Sequence, residues 1–253
     1  LIAMKEHELH NYKLVLQYEG IRYNGWQKQK NQENTIQEVV ENAVFDGTGE
    51  RVEVIGSGRT DAGTHAMGQV ANVKLGQDLE PERLMDNINK HLPSDIKILE
   101  CEKVDNRFHA RLNAKAKTYM YTLCVGKKPD VFNRRTVLHY CADLDVNAMK
   151  KAAEYLKGEH DFMSFCSNKR TKKSTVRKIY DIEIIKDGDE ISFIFKGNGF
   201  LYNMVRILTG TLVEVGLGKT NPDDMPKILE AKDRSKSGAT LPPRGLILVN
   251  VEY

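Results

Sequence analysis

The chain has 253 residues, 40% of them hydrophobic and 29% charged, with a formal net charge of +3. That length can bury a substantial core, as one large domain or as two fused halves, and a charge so close to neutral names no partner by itself. No apolar run reaches the ~18 residues of a membrane span, and the stretch from Leu1 to Glu8 lacks a signal-peptide core.

Met4 is read as the working start, so residues 1–3 are set aside. Tyr12 to Glu19 reads as a strand ending at Gly20. Tyr23 to Gln27 follows as a loop, with Trp26, the only tryptophan, packed at a core edge. Thr35-Ile36-Gln37-Glu38 has the form of a capping box. The helix it opens carries Ile36, Val39, Val40, Ala43 and Val44 on one face. Arg51 to Ile55 and Gln69 to Leu75 read as strands on either side of a loop, Gly56 to Ala66. Pro81 opens a helix with Leu84, Ile88 and Leu92 inward, which Pro93 stops. Ile96 to Val104 is a strand, and a joint is expected near residues 105–115.

The second half repeats this style. Tyr119 to Val125 alternates as a strand, and Asn147 to Lys157 is a helix stopped by Gly158. Tyr180 to Ile185 and Ile191 to Lys196 form a hairpin around Asp187-Gly188-Asp189. Phe200 to Val215 reads as a strongly apolar helix, Asp223 to Ala231 as a short one, and Leu246 to Tyr253 as the last strand. Hairpins with flanking helices imply an α+β fold with an antiparallel or mixed sheet. The halves are drawn as 4–107 and 108–253. The four cysteines stand far apart with no Cys-x-x-Cys pair, so neither a disulfide framework nor structural zinc is indicated. Buried, reduced thiols in a cytosolic protein are the expectation.

The Gly56–Ala66 loop concentrates the chemistry. Three glycines and two alanines surround one Arg, one Asp and one His. Little side-chain bulk lets backbone approach a ligand; the bland reading is a glycine-rich turn with Asp as turn former. A Walker loop is excluded because Gly-Lys-Ser/Thr is missing, and the dinucleotide pattern needs Gly where Asp61 stands. Basic charge is also uneven. Arg107, Arg111, Lys115, Lys117, Lys127, Lys128, Arg134 and Arg135 face only Asp130 in their stretch. Lys169, Arg170, Lys172, Lys173, Arg177 and Lys178 face no acid. Each block reads as a solvated face or as a surface for a polyanion.

Arg59-Thr60-Asp61-Ala62-Gly63, followed by His65-Ala66, resembles the signature of the TruA family of tRNA pseudouridine synthases. The resemblance recurs in order. It appears in Phe108-His109-Ala110-Arg111 through Lys117-Thr118-Tyr119-Met120-Tyr121, and in Gly158-Glu159-His160-Asp161-Phe162. It appears again in Gly199-Phe200-Leu201-Tyr202-Asn203-Met204-Val205-Arg206, and in Gly238-Ala239-Thr240 with Gly245 to Val249. The resemblance implies two α+β halves sharing one sheet with a central cleft, a homodimer, tRNA as partner, and no cofactor or metal. It implies isomerisation of uridine to pseudouridine in the anticodon stem-loop. Asp61 matches the catalytic aspartate, acting as nucleophile or as base. Tyr119 matches the active-site tyrosine, and Arg206 the arginine that pairs with Asp61. By the same resemblance Leu246 lines the uracil pocket, while Arg59, beside Asp61, fills the gap left by an extruded base or holds its phosphate.

Read from the residues alone, Arg206 either snorkels to solvent from its apolar helix or, if buried, needs an anion. Tyr119 as a strand aromatic suits a core. His65 and His109 read as satisfied loop histidines that could instead meet RNA. Lys169, Arg170, Lys172, Lys173, Arg111 and Lys115 are candidate RNA-backbone contacts. Departures from the family pattern are Thr64, where Val is common, and Pro243, Arg244 and Ile247, which bear on substrate preference. The rivals are a catalytically silent RNA-binding or RNA-folding module of the same fold and an Asp/His hydrolase using Asp61 and His65. The second lacks a nucleophile elbow and a metal-ligand cluster.

Overall fold

The computed structural model describes residues 9–29, 33–128, 130–168 and 173–253. The expected start at Met4 and the candidate contacts Lys169, Arg170 and Lys172 lie outside the described residues. The chain forms two compact units, one comprising residues up to Ala114 together with Tyr253, the other Lys115–Glu252.

In the first unit the elements run β1 (His10–Tyr18), α1 (Ile36–Thr48), β2 (Ile55–Gly56), β3 (His65–Leu75), α2 (Pro81–Asn89) and β4 (Ile96–Val104). β1 lies between β3 and β4, antiparallel to both, and β2 pairs with β3. Thr35 caps α1 by accepting from the Glu38 N–H at 3.4 Å, which is half of the expected box. The buried face of α1 is Ile36, Gln37, Val40, Ala43 and Val44, so Gln37 takes the place expected of Val39. Its amide explains why. Gln37 Nε2 donates to the Val54 carbonyl at 3.1 Å, and Glu41 Oε1 accepts from the Val54 N–H at 3.2 Å. Side chains of α1 therefore satisfy the backbone that a neighbouring strand would have satisfied. The expected strand Arg51 to Ile55 is accordingly reduced to Ile55–Gly56.

A buried asparagine pair orders the segment after β4. Asn11 Nδ2 donates to the carbonyls of Asp105 and Phe108, Asn72 Nδ2 donates to Asn11 Oδ1, and Asn72 Oδ1 accepts from the Ala110 N–H. The Tyr253 hydroxyl closes on the Ala110 carbonyl at 2.7 Å. The Phe108–Arg111 motif is thus held by polar groups far away in sequence.

The second unit runs β5 (Ala116–Cys124), β6 (Leu138–His139), α3 (Val146–Glu154), β7 (Gly158–Asp161), β8 (Val176–Asp187), β9 (Glu190–Gly197), α4 (Met204–Gly216), α5 (Met225–Ala231) and β10 (Leu246–Glu252). Its strands lie in the order β10-β5-β9-β8-β7, each antiparallel to its neighbour, while β6 runs parallel to β5. The architecture is α+β with a mixed sheet, as the patterning predicts. The β8–β9 hairpin turns at Gly188, whose φ of +54° suits a residue without Cβ. Along β9, Ile191, Phe193 and Phe195 face the core, opposite Leu123, Tyr121 and Tyr119 of β5. These cross-strand aromatic pairs are the local glue of the sheet.

Several helix boundaries differ from expectation: α2 ends at Asn89, short of Leu92, α3 ends at Glu154, short of Lys157, α5 starts at Met225, past Asp223, and two starts have a local cause. α3 starts one residue early because Asp145 caps it, accepting from the Ala148 N–H at 2.9 Å. α4 starts at Met204 and not at Phe200, since Asn203 adopts a left-handed conformation with φ 61°. The thiol expectation also needs correcting: Cys124 and Cys166 are buried, Cys101 is half-buried and Cys141 is exposed.

Candidate active-site residues

In the first unit the Gly56–Ala66 loop is held at almost every residue. The Ser57 N–H donates to the Val70 carbonyl at 2.7 Å. The Ser57 hydroxyl donates to Gln69 Oε1, and Gln69 Nε2 returns to the Gly58 carbonyl. The Thr60 carbonyl accepts from the Trp26 N–H at 3.0 Å, and its hydroxyl bonds the buried Tyr18 hydroxyl at 2.8 Å. Burial pushes the Tyr18 phenol up to about 12, so it stays neutral and can serve in this pair. Beyond Asp61, the Gly63 N–H reaches the Tyr23 carbonyl and the Thr64 N–H the Asp61 carbonyl at 3.0 Å.

The small residues of the loop serve this packing. A Cβ on Gly56 would fall 2.5 Å from the Trp26 indole, and one on Gly25 would fall 2.6 Å from the Thr60 carbonyl. Trp26, 2% exposed, is a core residue that braces the loop. Within this frame Asp61 is half-buried and Arg59 is exposed. His65 is buried, and its Nδ1 accepts from the Gly20 N–H at 3.1 Å. That bond places the ring proton of the neutral form on Nε2. His109 Nδ1 accepts from the Arg111 and Leu112 N–H groups. Both histidines have Nδ1 satisfied by backbone, His109 in a loop and His65 at the start of β3.

The Tyr23 side of the brace has its own support. Asp95 accepts from the Tyr23 hydroxyl at 2.7 Å and from Arg22 Nη2 at 2.6 Å. Burial raises the Asp95 pKa, but these hydrogen bonds outweigh it and leave the carboxyl below its usual 3.8.

In the second unit Tyr119 is buried on β5, with Phe200 edge-on at 5.2 Å. Arg206 is half-buried and stands in the first turn of α4, where the helix dipole opposes a cation. Its guanidinium is held instead by specific acceptors: Nε donates to the Leu241 carbonyl at 2.6 Å and Nη1 to Asn203 Oδ1 at 2.8 Å. Asn203 in turn donates to the Ser167 hydroxyl at 3.0 Å. The Leu241 carbonyl is in reach because α4 and the segment before β10 touch backbone to backbone. A Cβ on Gly210 would fall 1.9 Å from the Ala239 carbonyl, and the Gly238 N–H bonds Thr211 Oγ1 at 2.9 Å. This contact gives Gly238-Ala239-Thr240 its physical meaning. Leu246 is buried at the start of β10, opposite Tyr121. The Tyr121 hydroxyl donates to the Pro242 carbonyl at 2.6 Å, and burial pushes its pKa up.

The structure thus gathers Arg59, Asp61 and His65 in one unit, and Tyr119, Arg206 and Leu246 in the other. Arg111, Lys115 and Lys173 are exposed. The second-unit residues that sequence reading left without a role are Asn203, the Leu241 carbonyl and Tyr121. The left-handed Asn203 was signalled only by its residue type. Among the described residues, no group of three His, Cys, Asp or Glu is placed to hold a metal ion, and no helix is long and apolar enough to cross a membrane.

The model of the tRNA pseudouridine synthase family matches residues 14–113 and 152–253, and the chain belongs to that family. Its relatives include tRNA pseudouridine synthase A 2 of Bacillus cereus, 43% identical over 245 residues, which are 97% of this chain and 100% of that one. The tRNA pseudouridine synthase A of Acetivibrio thermocellus is 43% identical over the same shares of both chains. That of Thermoanaerobacter sp. is 45% identical over 249 residues, again 97% and 100%. Among solved structures, a Cbf5-Nop10-Gar1 complex aligns with 80% of this chain and 46% of its own at 13% identity and a TM-score of 0.37, too slight a likeness to add to the assignment.

Proposed function

We propose that the protein isomerises uridine to pseudouridine in the anticodon stem-loop of tRNA, in the cytoplasm and as a homodimer. The reaction breaks the N1–C1′ bond of uridine, turns the base, and joins C5 to C1′. Atoms balance within one nucleotide, so no redox partner or second substrate enters. What the reaction requires is an ionised carboxylate, as nucleophile at the sugar or as the base that removes a ribose proton. Asp61 supplies it. The observation that carries this reading is the fixed loop around Asp61: backbone and hydroxyl bonds on both sides hold this half-buried acid in place between β2 and β3.

Tyr119 stacks on the uracil and its hydroxyl assists loss of the C5 proton. Arg206 supplies the guanidinium whose direction Leu241 and Asn203 set. Leu246 lines the uracil pocket, and Arg59, exposed on the loop, takes the space or the phosphate of the extruded nucleotide. Arg111, Lys115 and the Lys169–Lys173 block hold RNA phosphates.

The test is direct. The protein is incubated with unmodified tRNA transcripts without added cofactor, and pseudouridine is mapped at single-nucleotide resolution. Asp61→Asn keeps the shape and removes the anionic oxygen; it should abolish conversion while tRNA still binds. Conversion by Asp61→Asn at near wild-type rate overturns the assignment of the carboxylate. Binding without conversion by the wild type would make the protein a silent RNA-binding module.

A further inference from the structure

Arg177, at the start of β8, is half-buried, and its Nη1 donates to the carbonyls of Ser174 at 3.0 Å and Val176 at 2.6 Å. Both partners are neutral. Among the described residues no carboxylate forms an ion pair with it, and two nearby acids, one on β7 and one on β8, are already engaged. Asp161 binds Thr175, Lys232 and the Met163 N–H, and Asp181 binds Lys157. Burial lowers the Arg177 pKa from its ordinary value, but a guanidinium stays charged at any physiological pH. A partly desolvated cation whose hydrogen-bond partners among the described residues are neutral carbonyls, with the Cys166 thiol nearby, is short of an anion.

Its location gives that anion a chemistry. A Cβ on Gly199 would lie 3.7 Å from Arg177 Nε, so the guanidinium sits against the turn Gly199–Asn203. The same turn carries Phe200, edge-on to Tyr119, and Asn203, which holds Arg206. Between them stands Tyr202, 58% exposed, its carbonyl accepting from the Ser167 N–H at 3.2 Å. An exposed aromatic ring on the turn against which a guanidinium without a carboxylate packs suits single-stranded nucleic acid. The cation takes a phosphate through a planar fork and the ring stacks on a base. Exposed Lys173, four residues before Arg177, adds positive charge to the same segment.

We propose that Arg177 and Tyr202 form a nucleotide subsite for the strand flanking the target uridine, with Arg177 on a phosphate and Tyr202 against the adjoining base. The proposal rests on RNA being the substrate, as argued above, and assigns a site beyond the reacting residues.

The test uses the full chain and one tRNA transcript. Equilibrium binding is measured across a salt series, beside KM and kcat. Arg177→Met should weaken binding roughly tenfold and reduce the slope of log Kd against log salt by about 0.7–0.9, the share of one phosphate. KM should rise more than kcat falls. Tyr202→Ala should weaken binding about tenfold with little change in salt slope, and Tyr202→Phe should recover most of the loss, because the ring and not the hydroxyl does the stacking. Wild-type affinity and slope in Arg177→Met would show that Arg177 only braces the strand, and overturn the subsite. Should Arg177→Met melt early, the Tyr202 pair decides: wild-type binding by Tyr202→Ala, or failure of Tyr202→Phe to recover, overturns it. The binding slope needs no turnover, so a wild type that binds tRNA without converting it defeats the activity and still tests the subsite. A wild type that binds no tRNA defeats both.

Discussion

Thr64→Val should stabilise the protein. Thr64 is 1% exposed, and its Oγ1 is buried with no hydrogen-bond partner among the described residues. Its backbone is well placed: the N–H bonds the Asp61 carbonyl, and its own carbonyl lies where a Cβ on Gly20 would come within 1.9 Å. The loop therefore fixes the Thr64 backbone and leaves its hydroxyl unsatisfied. An unmade hydrogen bond of a buried hydroxyl costs about 1–3 kcal/mol. Valine keeps the β-branch and replaces the hydroxyl by a methyl of similar size, so that cost is removed. Crowding by the methyl hydrogens offsets part of it, and a net gain of about 1 kcal/mol is expected. For a chain of this size that corresponds to a rise of about 2–4 °C in Tm. Urea unfolding followed by fluorescence measures it cleanly, because the sole tryptophan, Trp26, is buried in the unit that holds Thr64. Thr64→Ser, which keeps the hydroxyl and loses the methyl, should shift the midpoint the other way. A midpoint lowered by Thr64→Val would refute the reasoning, by showing that the hydroxyl has a partner after all.

Arg206→Lys should retain the fold and lose at least tenfold in turnover, because a single ammonium cannot meet Leu241 and Asn203 with the geometry of Nε and Nη1. Full turnover by this variant would reduce Arg206 to a point charge. The carboxyl of Asp95 gives a pH prediction. Its folded pKa lies below the usual 3.8, so its bonds to Tyr23 and Arg22 stabilise fully above that value, weaken as pH falls through the folded pKa, and vanish below it. Asp95→Asn should then be less stable than wild type at neutral pH, with the gap closing on acidification below about pH 4. Urea midpoints read by Trp26 across that range decide the matter, and a gap that ignores pH refutes it.

The sequence by itself determined the parts that depend on local pattern. The alternation of Ile191, Phe193 and Phe195 marks β9, Thr35 marks the start of α1, and Gly188 marks the hairpin turn. The loop around Asp61 was legible because small residues, one carboxylate and two flanking β-branched runs are contiguous. Tertiary structure decided where polar groups separated along the chain find each other. Residues 51–54 read as a strand by composition, yet Gln37 and Glu41 satisfy Val54 and end the pairing. Phe200 to Val215 reads as one helix by hydropathy, yet Asn203 turns left-handed and moves Arg206 into the first turn of α4. The Asn11–Asn72 pair and the hold of the Leu241 carbonyl on Arg206 left no mark in any window of sequence. Hydrophobic periodicity is a property of neighbours along the chain. The satisfaction of buried donors and acceptors depends on which distant segments meet, so it is visible only once they have met.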